Sequence, residues 1–270
     1  MDVKQLKLIY FSPTGTTQKV LDSIARGIAA ENVEHVNLTF PEGAQQPIPL
    51  LSDDLVIIGA PVYGGRLPVD AVNRFKQLKA NKTLAILIVV YGNREFEDAL
   101  LELKNHAIEL GFIPVAGGAF IGEHSYASKE VPIANGRPDN LDVQKATDFG
   151  LKIKEKITTL QSLDAIGDLA VPGSFPYEAR GALSMAVSPI TNEDTCIVCG
   201  TCADVCPTKA ISINGGVATN IELCIRCCAC VKSCPTGARV MEDSTIEKVA
   251  NWLNENCSIR KEPQTFWVDA

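Results

Sequence analysis

Eight of the ten cysteines in this 270-residue chain fall into two copies of one run, Cys196-x2-Cys199-x2-Cys202-x3-Cys206-Pro207 and Cys224-x2-Cys227-x2-Cys230-x3-Cys234-Pro235. No other feature constrains the fold as tightly. A cubane iron–sulfur cluster needs four thiolates converging on it: two-residue spacers wrap one loop around three irons, and the fourth thiolate comes from elsewhere. The repeat extends beyond the cysteines, since Cys206-Pro207-Thr208-Lys209-Ala210 matches Cys234-Pro235-Thr236-Gly237-Ala238. Each half is therefore one supersecondary unit duplicated in place. Zinc and disulfides are the alternatives, but zinc sites pair cysteines two by two across a long spacer. The pattern points to two clusters and to electron transfer. Cys228 and Cys257 lie outside it and read as small buried hydrophobes.

Residues 191–241 resemble the bacterial two-cluster ferredoxin. In that family the fourth Cys of each run ligates the other cluster. The resemblance implies one 4Fe–4S site made of Cys196, Cys199, Cys202 and Cys234, and a second made of Cys224, Cys227, Cys230 and Cys206.

The cysteine-rich part is too small to account for the rest of the chain. With 46% hydrophobic and 21% charged residues, the sequence supports two packed cores rather than disorder. Charges occupy the first residues, Met1 to Lys7, where a signal peptide would be apolar. The longest apolar run, Leu84 to Val90, is far below the ~20 residues that cross a bilayer. Cluster thiols require a reducing compartment, so the expected location is cytoplasmic, with no membrane span. A net charge of −7 gives no electrostatic case for nucleic acid or an anionic membrane surface. Across residues 191–241 the acids Glu193, Asp194, Asp204 and Glu222 balance the bases Lys209, Arg226, Lys232 and Arg239. Charge thus selects no docking face on the cluster segment.

Upstream, apolar runs bounded by turn signals alternate with helix-period segments, the sequence form of a parallel sheet covered on both faces. Strands are expected at Leu6–Phe11, Val33–Phe40, Leu55–Ala60, Leu84–Val90 and Phe112–Ile121. Helix faces are marked by Val20, Leu21, Ile24 and Ile28, by Ala99, Leu100, Leu103 and Leu110, and by Ala146, Phe149, Ile153, Ile157 and Leu160. Five strands with five helices make a doubly wound α/β domain.

Directly after the first strand stands Ser12-Pro13-Thr14-Gly15-Thr16-Thr17. Hydroxyl donors, a glycine that lets backbone amides approach, and a helix N-terminus suit a phosphate monoester. The loop lacks the Gly-x4-Gly-Lys-Ser/Thr of a triphosphate site. An ordinary helix N-cap is the plainer reading of the same residues. The position, at the carboxyl end of strand one in a doubly wound pattern, is where such sheets bind ligands.

In that context residues 4–162 resemble flavodoxin. The resemblance implies noncovalent FMN, its phosphate held by Ser12, Thr14, Gly15, Thr16 and Thr17. Two further family loops, which hold the isoalloxazine ring, match Pro61-Val62-Tyr63-Gly64-Gly65 and Tyr91-Gly92-Asn93-Arg94. Physically, Tyr63 and Tyr91 could stack on the flavin, or could simply cap strand ends with their hydroxyls in water.

A long loop, Gly122 to about Arg137, follows the fifth strand and exceeds what a connection needs; it is expected to be a lid or a domain contact. His124 within it reads as a solvent-exposed loop residue, with a place beside the flavin as the alternative. Residues 163–190 form the join, and Phe175, Tyr177, Leu183 and Met185 suggest a segment packed across both domains rather than a loose tether. After the clusters, Ser244-x2-Glu247 suggests a capping box opening a helix whose face is Ile246, Val249, Ala250 and Leu253. Trp252 and Trp267 read as core or interface residues. The expected organisation is 1–162 flavodoxin-like, 163–190 linker, 191–241 two-cluster ferredoxin-like, and 242–270 C-terminal helix and tail.

Clusters exchange single electrons and flavin one or two. Together the pieces resemble a fused flavodoxin and ferredoxin protein. They imply an electron-transfer flavoprotein that moves electrons between low-potential carriers, two 4Fe–4S clusters and FMN, with a redox protein as donor or acceptor. The competing readings are an FMN-dependent reductase of a quinone, nitro compound or other small organic acceptor, with His124 or Tyr126 as proton donor, and a redox-sensing module. No Gly-x-Gly-x2-Gly nicotinamide fingerprint follows a strand.

Overall fold

The computed structural model describes residues 5–45, 48–50, 54–159, 163, 166–180 and 187–268. Along the first part run β1 (Gln5–Tyr10), α1 (Thr16–Ile28), β2 (Asn32–Asn37), β3 (Leu55–Pro61), α2 (Val69–Phe75), β4 (Thr83–Tyr91), α3 (Ala99–Glu109), β5 (Phe112–Ile121) and α4 (Asn140–Thr159). The cluster segment contributes β6 (Ile190–Thr191), α5 (Thr201–Asp204), β7 (Ile211–Ile213), β8 (Val217–Thr219), α6 (Ala229–Lys232) and β9 (Arg239–Val240). Last come α7 (Ser244–Asn256) and β10 (Gln264–Trp267).

The main sheet places β2, β1, β3, β4 and β5 side by side and parallel, the doubly wound order. Every residue of β4 is buried, as a central strand covered on both faces requires. Alternate side chains point to opposite faces. Leu6, Leu8 and Tyr10 of β1 pack with Val20, Leu21 and Ile24 of α1 and with Phe149 and Ile153 of α4. Ile9 and Phe11 join the other core with Phe75, Leu100 and Leu103.

The expected five parallel strands are present; one expectation is extended and two are corrected. The sheet has six strands: β10 adds to the β5 edge, antiparallel, pairing Gln264 with Ala119 and Trp267 with Ala116. Trp267 lies against Phe149 with ring centroids 4.9 Å apart. Instead of five helices, four α-helices and a 3-10 turn at Pro41–Ala44 serve the flavodoxin-like part among the described residues. The cap of α7 is Asp243, whose side chain accepts from Thr245 N at 2.9 Å and Ile246 N at 3.2 Å, so Ser244 is already helical. Leu160, Leu183 and Met185 lie outside the described residues.

The join is strapped along α3. Asp98 accepts from Ser174 N and Glu178 N, both at 2.8 Å, and Asn105 donates to the Tyr177 hydroxyl at 2.7 Å. Glu102, 2% exposed, takes both arms of Arg66 at 2.8 and 2.9 Å and Arg180 at 2.7 Å. Bidentate carboxylate pairs of this kind hold geometry as well as charge. Phe175 remains exposed while Tyr177 is covered by Arg66, 4.4 Å above its ring.

The two cluster hairpins repeat each other: β7 pairs with β8 and β6 with β9, each antiparallel. No helix among the described residues is long and apolar enough to cross a membrane.

Candidate flavin and cluster sites

The carboxyl ends of β1, β3, β4 and β5 open onto a cavity of about 590 Å³. At its β1 corner Gly15 adopts the left-handed conformation, φ 75°, which costs a glycine little. No side chain caps α1 at that position. Ser12 accepts from Gln18 N at 3.1 Å, and the Thr14 and Thr16 hydroxyls lie 3.0 Å apart. A helix N-terminus capped only at Gln18 and ringed by hydroxyls fits a phosphate dianion. The plainer N-cap reading accounts for Ser12 but not for the threonines.

Ser12, Thr14, Thr16 and Thr17 line this cavity together with Pro61, Val62, Tyr63, Gly64, Tyr91 and Gly92. Gly15 shapes the turn from behind. Asn93 is the departure: its side chain is 2% exposed and turned away, donating to the Cys257 and Ile259 carbonyls at 2.6 and 2.9 Å. Its amide oxygen accepts from Lys261 N at 3.2 Å. Asn93 thus anchors the stretch after α7. Burial pushes the Tyr91 phenol up to about 12, and its buried hydroxyl has no hydrogen-bond partner among the described residues. Burial, with Cys227 and Cys228 nearby, holds the Tyr63 phenol well above its usual range.

His124 also lines the cavity, correcting the exposed-loop reading. Its ring lies over Gly92, where any Cβ would collide with it. Its Nδ1 accepts from Tyr126 N at 3.1 Å, and its ring meets that of Tyr126 edge-on, centroids 5.2 Å apart. Burial, reinforced by Lys232 and Arg94, lowers its pKa to about 4.

Two smaller cavities occupy the cluster segment. Cys196, Cys199, Cys202 and Cys234 border one; Cys206, Cys224, Cys227 and Cys230 border the other. Each ring draws three thiols from one run and the fourth from the other. None of the ten cysteines is in a disulfide, and among the described residues no three His, Cys, Asp or Glu groups converge tightly enough for a single ion. Thiols spaced around a void, rather than around a point, fit a cluster. Cys228 is buried beside the second ring.

Cys224 and Ile225 belong to the walls of both the second cluster cavity and the flavin cavity. The second ring, which adjoins the larger cavity, is termed proximal and the first distal. Several lining residues went unread in the sequence: Arg226, and Val249, Trp252 and Leu253 of α7. Periodicity marked Val249 and Leu253 as an apolar face without saying what they face. The 122–137 loop is a domain contact: Lys232 bonds Glu123 at 2.5 Å and the Ala127 carbonyl at 2.7 Å. Ala127 and Ile133 pack against Ala250 and Leu253 of α7.

A doubly wound sheet with a phosphate-ready loop, joined to paired cysteine rings, defines an electron-transfer flavoprotein. Residues 7–126 match the flavodoxin domain, and residues 189–212 and 217–240 each match the 4Fe–4S binding domain. The chain is a fused flavodoxin and ferredoxin protein whose cofactors are FMN and two 4Fe–4S clusters. Among solved structures it is similar to oxidised flavodoxin 1 from Bacillus cereus, with 20% identity, a TM-score of 0.42, and coverage of 58% of this chain and 99% of that one. Flavodoxin from Fusobacterium nucleatum, bound to flavin mononucleotide, gives 16% identity, a TM-score of 0.39 and coverage of 57% and 99%. Rubredoxin oxygen:oxidoreductase from Desulfovibrio gigas gives 12%, 0.42, and coverage of 58% and 37%. No curated protein matches the chain.

Proposed function

We propose that the chain is an internal electron relay, cytoplasmic, exchanging electrons with a low-potential redox protein at the distal cluster and passing them by way of the proximal cluster to FMN, or in reverse. The observation that carries this reading is the shared wall: Cys224 and Ile225 border both the proximal cluster cavity and the flavin cavity. FMN accepts one or two electrons and a cubane cluster one, so a chain holding both joins single-electron carriers to two-electron chemistry.

In this reading Cys196, Cys199, Cys202 and Cys234 hold the distal cluster and Cys206, Cys224, Cys227 and Cys230 the proximal one. Thr14, Thr16 and Thr17, with the first amides of α1, hold the phosphate. Tyr63, Tyr91 and Gly92 flank the ring system, and Trp252 and Leu253 of α7 shield it from water. Cys199 is exposed at the distal site, as a docking electron carrier requires. His124, neutral at pH 7 by virtue of its lowered pKa, is a poor general acid there. That leaves Tyr126, also in the cavity wall, as the donor a competing reductase would have to use.

Anaerobic rapid mixing with a reduced low-potential ferredoxin tests the relay. Cluster absorbance bleaching before the flavin, with the second phase independent of protein concentration, is the expected result. A flavin that stays oxidised, or is reduced only in proportion to protein concentration, would remove the internal route.

A further inference from the structure

The two halves of the cluster segment differ in kind at the buried position five residues beyond the last cysteine of each run. After Cys206-Pro207-Thr208-Lys209-Ala210 comes Ile211, buried; after Cys234-Pro235-Thr236-Gly237-Ala238 comes Arg239, 2% exposed. Both begin the strand that follows their cysteine run, Ile211 opposite Thr219 and Arg239 opposite Thr191. The repeat thus sets an aliphatic side chain at one site and a guanidinium at the other.

Burying a cation is costly unless something pairs it. Among the described residues no carboxylate forms an ion pair with Arg239. Its neutral partners are the Thr191 hydroxyl at 2.7 Å and the Thr219 hydroxyl at 3.0 Å. Its remaining contact is with sulfur: Nη2 donates to Cys230 Sγ at 3.8 Å. Arg239 also lies in the walls of both cluster cavities. Among the described residues, the negative charge placed to compensate it is that of thiolate-ligated clusters.

We propose that Arg239 is a positioning residue for charge, whose buried cation raises the reduction potentials of both clusters and that of the proximal one more. This rests on the cluster assignment above. Each reduction adds one negative charge to a cluster. The proximal ring, with Cys206, Cys227 and Cys230 all buried, is poorly solvated and resists that charge, whereas the distal ring reaches solvent at Cys199. Burial alone would make the proximal cluster the harder to reduce and block flow toward the flavin. Arg239, hydrogen-bonded to a proximal ligand, offsets that penalty, because hydrogen bonds and positive charge near cluster sulfur favour the reduced form. The hydrophobic Ile211 cannot do the same for the distal site, which has water instead.

The test is an EPR-monitored dithionite titration of intact, cluster-loaded protein, wild type against Arg239→Gln, Arg239→Ile and Arg239→Lys, with iron and acid-labile sulfide measured on the same samples. A Cys199→Ser background, or Cys196→Ser should that fail to load, perturbs the distal signal and so identifies the proximal one. The expected result is that Gln and Ile lower both potentials. The proximal cluster moves by about tenfold in its reduced-to-oxidised ratio, about 59 mV for one electron, and at least twice as far as the distal. Lys keeps more than half of the wild-type position. Unmoved potentials, equal displacement of both clusters, or a Lys variant shifted as far as Gln would overturn the proposal. So would lost iron with unchanged potentials in the clusters that remain, which marks a packing role alone. Wild-type protein without two cluster signals would instead defeat the cluster assignment itself, a separable outcome.

Discussion

The Arg74 guanidinium of α2 donates to the Pro207 carbonyl at 2.6 Å, tying the flavodoxin sheet to the residue that follows Cys206. Nη1 of the same side chain donates to the Leu38 carbonyl at 3.0 Å and to that of Thr39. One buried cation thus fixes the loop after β2 and the residue beside Cys206 in a common frame. Arg74→Leu leaves these carbonyls without their donor and is expected to cost about 3 kcal/mol, read by denaturant unfolding. Internal transfer should slow while both cofactors stay bound; an unchanged rate would show that this tie does not set the spacing.

Glu123 and Lys232 join the β5 loop to α6 across the same boundary, both partly exposed. Single reversals, Glu123→Lys or Lys232→Glu, should each lower stability, and the double reversal should recover part of the loss. A coupling of about 1 kcal/mol is expected from a double-mutant cycle. Zero coupling would make the contact incidental.

His124 gives the protein a pH-dependent term. Its folded pKa, about 4, lies below the unfolded value because burial disfavours the charged ring. Well above pH 6.5 the ring is neutral in both states and has no effect. Between 6.5 and 4 the unfolded chain binds a proton that the folded one does not, so stability falls as the pH falls. His124→Gln should flatten that part of the melting-temperature profile relative to wild type. Parallel profiles for the two proteins would contradict the burial of His124.

Trp252 stands in the wall of the flavin cavity and is 53% exposed, whereas Trp267 is sandwiched between Phe149 and Lys156. FMN added to flavin-stripped protein should quench Trp252 emission strongly and Trp267 emission weakly. Trp252→Phe should abolish most of the quench. Quenching that survives the substitution would put the flavin elsewhere.

The cluster sites were legible because ligand chemistry dictates spacing: a cubane can be wrapped by few arrangements of thiols, and the second run repeats the first. The placement of the Ser12–Thr17 loop at the cavity was nearly as legible, since its hydroxyls stand where a strand ends and a helix begins. Asn93 was not. Its neighbours in the sequence suit a ring-binding loop, while its partners, the Cys257 and Ile259 carbonyls, lie far along the chain. Gln264–Trp267 shows the same limit. Four residues carry a strand propensity but no record of which edge will accept them, and the unpaired backbone of β5 decides it. His124 was misplaced because nothing local reveals that Gly92 leaves room for an imidazole.

The pairing of β10 with β5 changes the mechanics of the molecule. The chain leaves the sheet after β5, builds α4 and the cluster hairpins, and then returns to that same sheet. The iron–sulfur module is thus spliced into the flavodoxin architecture by two roots rather than hung from one. A nick in the join would still leave the halves linked through α7 and β10, a second root that opposes swinging of the module.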